Sequence, residues 1–371
     1  MALIIAISHM KWHSFLLIVV FTILACSCHR QGILSFKTVE YISEDNIDFT
    51  IDSSSGKIVD FGVDGIQYFQ IAGPYIVLLS PAESGYFTVL EKNPPFNELG
   101  SFFRKGRGPG ELPAMNIPDN YGQNLNGEVY ADINNLSGKI LRWNITKSVQ
   151  EGRTVTEEIG ETGPTTLSTE NLFDDGIYYK ELGPNKDCQE RYIITTCSAK
   201  YIPKNMSILN DAILQNKEDD GTRFNILSTE VEYDRATKRI IEASSGLNTI
   251  HIYSLDGDFA KSFCIGDQIY NYNDLANYDL ADRPITTIDG KNFGSFCAFL
   301  YLDVPMFAFV HPESVPRLLL VPWDGSSITQ VKLPDKITSF DIDLESKLLF
   351  GYNAISESMK SYDISEVLST I

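Results

Sequence analysis

Histidine is scarce in this chain, with five in 371 residues. Only His29, His251 and His311 lie beyond the N-terminal leader. His29 sits beside that leader, and His251 alternates with Ile250 and Ile252 so that it faces away from them in an extended strand. No Gly-x-Ser-x-Gly elbow is present. Together these shortages exclude a histidine-based catalytic triad and a three-histidine zinc site. Basic charge is also short: 30 Lys and Arg stand against 49 Asp and Glu, a net charge of −19. A surface that acidic repels nucleic acid and anionic lipid, so neither is expected as an electrostatic partner. An apolar run of membrane-spanning length, about 20 residues, is missing too.

The longest apolar run is Phe15–Ala25, which follows Lys11 and precedes Cys26. A short apolar stretch after a basic residue and before a small one is a secretory signal. Ile23-Leu24-Ala25-Cys26 has the form of a lipobox, which makes Cys26 the expected acylated residue and residues 1–25 the signal. Cys28 is the rival, and a cleaved signal without lipid is the plainer alternative. Met10-Lys11-Trp12 would itself open a well-formed signal, so Met10 is read as the start. Residues 26–32 then form a tether to the lipid bilayer. Ser27-Cys28-His29-Arg30-Gln31 contains no acid, which tilts the expected address toward the periplasmic side of an outer membrane.

Helical periodicity is nearly absent after the signal. Short β-branched and aromatic runs, such as Tyr75–Leu79 and Leu348–Tyr352, alternate with turn residues. Asp-Gly pairs at Asp64, Asp175, Asp220, Asp256, Asp289 and Asp324, with Asn126-Gly127, supply the positive φ of tight hairpins. Asp234–Ile241 resembles Asp343–Phe350, and Tyr253 falls on Tyr362 at the same offset. Phe87, Trp143, Tyr201, Tyr253, Trp323 and Tyr362 mark six modules of about 55 residues. Six modules of four short strands are the blades of a six-bladed β-propeller, an all-β fold spanning residues 33–371. The last blade lacks a strand, and Ile33–Val39 is expected to close the ring.

Phe103–Glu111 is the most irregular stretch, with glycines at 106, 108 and 110 around Pro109. With the lipobox and six modules, Gly106-Arg107-Gly108-Pro109-Gly110-Glu111 resembles the TolB-like six-bladed β-propeller lipoproteins of Bacteroidota. That resemblance implies a fold and an envelope location, and no catalytic residues.

Gly106-x-Gly108-x-Gly110 lacks the ensuing helix and the lysine of a phosphate loop. Arg104, Lys105 and Arg107 either pair with Glu111 and nearby acids or hold an anion, leaving Arg107 and Glu111 as candidate binding residues. Asp341-Ile342-Asp343-Leu344-Glu345 and Asn124–Glu128 offer Ca²⁺ only partial ligand sets. The Asn/Tyr-rich insertion 267–283 carries Tyr270, Tyr272 and Tyr278, residues suited to recognising a protein or glycan. Two functions follow: an envelope module binding such a partner, or a cation-dependent hydrolase or lyase with a carboxylate-lined channel. The first is favoured, with no cofactor required.

Overall fold

The computed structural model describes residues 32–163, 166–182, 189–211 and 224–371. Cys26, Cys28, the signal and the tether up to residue 31 lie outside them, as does Cys188.

Six antiparallel sheets form six blades. Their inner strands, nearest the axis, are Tyr68–Ala72, Asn120–Gln123, Thr166–Asn171, Thr229–Asp234, Pro284–Asn292 and Ser339–Asp343. Blade one ends at Phe102, blade two at Glu161, blade three at Tyr201, blade four at Ile265 and blade five at Lys332. The modules read from the sequence are these blades. Five of the six aromatic anchors lie in a third strand or at its end, buried between blades. Tyr201 is the exception, half exposed in the short outer strand of blade three.

Ring closure is by an N-terminal strand, at a different address from the one expected. Val39–Ile42 adds in parallel to the outer strand of blade four, and Phe49–Thr50 adds likewise to blade five. Lys57–Val59 then pairs antiparallel with Ser358–Asp363 and completes blade six. The chain therefore straps two blades before closing a third. Gln330 fastens the strap by donating to the carbonyls of Ser43 and Asn46, both at 2.8 Å. Ile33–Val39 enters too early to reach blade six. Its apolar residues are spent on blade four, where Phe36 packs against Tyr253 with ring centroids 5.6 Å apart. Strand propensity alone does not say which exposed edge a strand will take.

Inter-blade packing is apolar and aromatic. Trp143 is fully buried, with Phe87, Phe102 and Phe103 at centroid distances of 5.2, 5.6 and 5.3 Å. Near the axis the staples are polar. Asp289 of blade five accepts from the Ser339 hydroxyl and the Phe340 amide of blade six, both at 2.9 Å. Asp341 of blade six accepts from the Ile71 amide of blade one. Asn171 of blade three donates to Asp132 of blade two at 3.0 Å.

Asp289-Gly290, expected at a hairpin turn, lies mid-strand. The carboxylate serves the staple, and the missing side chain at Gly290 makes room for the Phe299 ring, 2.6 Å from where a Cβ would sit. Asn126-Gly127 does form a hairpin turn, with Gly127 at φ 76°. Because strands alternate in direction, connections between blades share one face with the hairpins between second and third strands. That face carries residues 60–67, 103–119, 266–283, 306–316 and 333–338.

Candidate functional site

All six inner strands, or the residues just before them, wall a central cavity of about 310 Å³. Its mouth lies on the face just described, where Gln67, Asp119 and Ile117 are exposed. A β-strand turns every second side chain toward the axis, so Glu230 and Glu232 of blade four project on one side of their strand. Asp119, Glu230, Glu232 and Asp289 line the space, with Asp341 close by.

One cation is set into this ring of acids. Lys291, nearly fully buried, donates to the Tyr68 hydroxyl at 2.7 Å, the Phe69 carbonyl at 3.0 Å and Gln70 Oε1 at 2.6 Å. Its ammonium also lies 4.1 Å from the Tyr68 ring centroid. Three neutral partners fill its three donors, so it stitches blade five to blade one and forms no ion pair with a channel carboxylate.

The acids respond accordingly. Burial and carboxylate neighbours push Glu230 up to about 7 and Glu232 up to about 8, against the weaker pull of Lys291. Burial raises Asp119 to about 7, although its side chain still meets channel water. Burial also raises Asp341 to about 6, where Lys291 and two backbone amides hold it lower than its neighbours. Glu170 of blade three is pushed well up by burial, then by Glu232, Asp132 and Asp119. It is 4% exposed, and its Oε2 has no hydrogen-bond partner. Its surroundings are a void of about 10 Å³ that shares Asp119, Asn120 and Thr169 with the main cavity. The Tyr121 hydroxyl, also on the cavity wall, is buried without a partner. The cavity thus holds carboxyls whose burial favours the protonated form, hydrogen-bonding groups without partners and a single cation.

Sequence-predicted candidates lie on the same face but apart from the cavity. Glu111 accepts from the Gly108 amide at 2.8 Å, inside its own loop. A Cβ at Gly106 would lie 1.9 Å from that carboxylate, so the glycine spacing accommodates Glu111. Arg107 is exposed, and among the described residues neither it nor Arg104 or Lys105 forms an ion pair. The expected pairing with Glu111 is replaced by a backbone amide, because the loop folds its carboxylate inward.

In the insertion, Tyr272 is 1% exposed and belongs to the core beside Leu34 and Leu275. It is therefore a packing residue. Tyr270 donates to the Asp303 carboxylate at 2.8 Å. Tyr278 alone of the three is half exposed, on the wall of a groove of about 460 Å³ with Tyr270 and Asp303.

Asp343 and Glu345 both bind Lys92, at 3.1 and 3.0 Å, while Asp341 points elsewhere. Among the described residues no group of three or more His, Cys, Asp or Glu is placed to hold a metal ion. Cys197, Cys264 and Cys297 are free thiols. His251 is wholly buried, with Nδ1 2.9 Å from the Ser262 hydroxyl, and burial pushes it down to about 3.

No protein-family model matches this chain, and neither does any curated protein. Solved structures with a similar chain path include a protein of Bacteroides fragilis described as a putative exported protein. It has 13% identity and a TM-score of 0.49, covering 88% of this chain and 99% of that one. An auxiliary nutrient binding protein of Bacteroides ovatus is similar at 10% identity and a TM-score of 0.43, covering 80% and 69%.

Proposed function

We propose that this chain is an envelope lipoprotein, acylated on Cys26 and held on the periplasmic side of an outer membrane. Its propeller binds a protein or glycan partner by taking a positively charged group, a primary ammonium, into the channel. One observation carries this reading: a cavity walled by Asp119, Glu230, Glu232 and Asp289 holds one lysine, whose three donors are taken by neutral oxygens, while burial and neighbouring carboxylates push Glu230 and Glu232 up. An entering ammonium brings three donors and one positive charge. It restores ionisation of Glu230 and Glu232 and offers a partner to groups that have none. A cavity of about 310 Å³ lies at the small end of ligand sites, so it suits a side chain or single residue of a larger partner. Basic protein side chains and amino sugars both supply such a group.

Spermidine serves as the probe. It is expected to raise the thermal midpoint of the protein in a saturable manner, as any ligand specific to the folded state does. Glucose at equal concentration leaves the midpoint unchanged, and the Glu230→Gln/Glu232→Gln double variant loses the response. Equal stabilisation of the wild type and the double variant would place the binding elsewhere.

A further inference from the structure

We infer that the insertion between blades four and five, together with the neighbouring hairpin of blade five, is a membrane-contact surface that seats the propeller on a phospholipid bilayer. The described body begins at Gly32, whose carbonyl accepts from the Tyr272 amide at 2.8 Å. The chain therefore leaves the propeller directly at this insertion. Cys26 lies six residues upstream, a reach of about 20 Å even when fully extended. An anchor that short keeps this rim within about 20 Å of the membrane. The inference rests on acylation at Cys26.

The rim has the matching chemistry. Leu280–Asp282 packs beside Met306–Ala308, and the Met306 amide donates to the Arg283 carbonyl at 2.9 Å. From these adjoining turns Tyr278, Leu280, Phe307 and Val310 emerge 50, 47, 54 and 60% exposed. Four large apolar side chains grouped on a rim are unusual for a surface facing only water. An aromatic pair with aliphatic neighbours suits the headgroup boundary of a bilayer. The insertion and the hairpin also carry the exposed Asp274, Asp279, Asp282 and Glu313; of the bases nearby, Arg283 and Lys336 are buried and donate to backbone carbonyls, and His311 meets Glu313. Contact thus depends on apolar insertion into zwitterionic lipid, and anionic lipid weakens it.

The test is hydrogen exchange on the full chain, expressed with its signal and reconstituted in phosphatidylethanolamine–phosphatidylcholine vesicles. Palmitate labelling is followed in parallel, and Cys26→Ala serves as the soluble reference. The expected result is labelling of the wild type and severalfold slower exchange at 278–283 and 305–312. The turn at 124–127, on the opposite face, should be unchanged. Leu280→Ser/Phe307→Ser should keep the label and the fold, since both residues are exposed, but lose the protection. Labelled protein with no protection at either loop would overturn the membrane surface while leaving the anchor intact. Absence of label in the wild type would overturn the anchor, and the membrane surface with it.

Discussion

Replacing Glu242 by alanine is expected to destabilise the propeller by about 3–5 kcal/mol, the usual cost of stranding a buried charge. Glu242 is completely buried on blade four, and Arg191 on blade three is equally so. Arg191 Nε lies 2.8 and 2.9 Å from the two carboxylate oxygens. The Tyr178 hydroxyl donates at 3.0 Å, and Tyr253 donates to the same oxygen. Lys180 stands 3.7 Å away. Despite burial, Arg191 and then Lys180 hold Glu242 down at about 2. Alanine leaves the Arg191 guanidinium buried without its carboxylate, beside Lys180, which burial and Arg191 already push well below the usual lysine range. Arg191 has no reserve, because its Nη1 and Nη2 already lack partners. Denaturant unfolding of Glu242→Ala measures the loss. Arg191→Met/Glu242→Leu should recover much of it, because both charges leave together. A loss under about 1 kcal/mol for Glu242→Ala would mean the pair is hydrated, contrary to its burial.

The second large effect is on pH. Stability should peak near pH 5 and fall steadily toward pH 8. The channel acids have folded pKa values raised above the ordinary carboxylate range: Asp341 to about 6, Glu230 and Asp119 to about 7, Glu232 to about 8. A raised acid binds its proton more tightly when folded. Its contribution is complete below the unfolded value near 4 and is lost as pH rises through the folded one. Each pKa unit corresponds to about 1.4 kcal/mol per group, discounted for Asp119 because it meets channel water. Several groups act in the opposite sense, among them Glu242, His251 and Lys180, whose burial pushes it well below the usual lysine range. Glu242, lowered to about 2, contributes stability that is lost as pH falls below about 4.5. His251, lowered to about 3, must stay neutral and costs stability as pH falls below about 6.5. Burial also raises Glu170, Asp132, Asp289 and Asp303, so the raised acids outnumber the lowered bases His251 and Lys180 between pH 8 and 5 and the net slope is negative there. Glu232→Gln should flatten the slope in thermal unfolding across that range. A midpoint that rises from pH 5 to pH 8 would contradict the channel electrostatics.

Much of the fold was legible in the sequence, because blades repeat and every module leaves an aromatic residue at a similar place. Trp143 and Tyr253 were identifiable since a third strand is buried on both faces and calls for bulk there. Blade three was harder to place. Its Tyr201 marks a short outer strand, while the core positions are held by Tyr178 and Ile193, which look like any other strand residues. The closing strand was misplaced because Ile33–Val39 and Lys57–Val59 are equally strand-like, and only the circumference to be travelled separates them.

The channel was the least legible part. Glu230 and Glu232 stand in Thr229-Glu-Val-Glu-Tyr, which in sequence is an ordinary half-solvated strand. Asp289 and Lys291 flank a glycine, and Asp-Gly normally signals a turn. Six strands far apart in sequence converge on one axis, and no local pattern announces that their polar faces meet. The signal that could have been used is the repeated presence of acids in first strands: Glu170, Glu230, Glu232, Asp289 and Asp341. Conversely, the unusual composition of Gly106–Glu111 serves its own loop, where the Gly108 amide donates to Glu111.

Proton release on binding tests the central claim most directly. A cation entering the channel must lower the raised carboxyls, so at pH 7 it displaces protons from Glu230 and Glu232. Calorimetric titration of spermidine in buffers of different ionisation enthalpy reads that number. Net release is expected near pH 7, vanishing well above pH 8 where the carboxyls are already ionised, with weaker binding toward pH 5 as protons compete, and with no release in Glu230→Gln/Glu232→Gln. Binding near pH 7 without proton release, or no binding by the folded wild type, would contradict that claim.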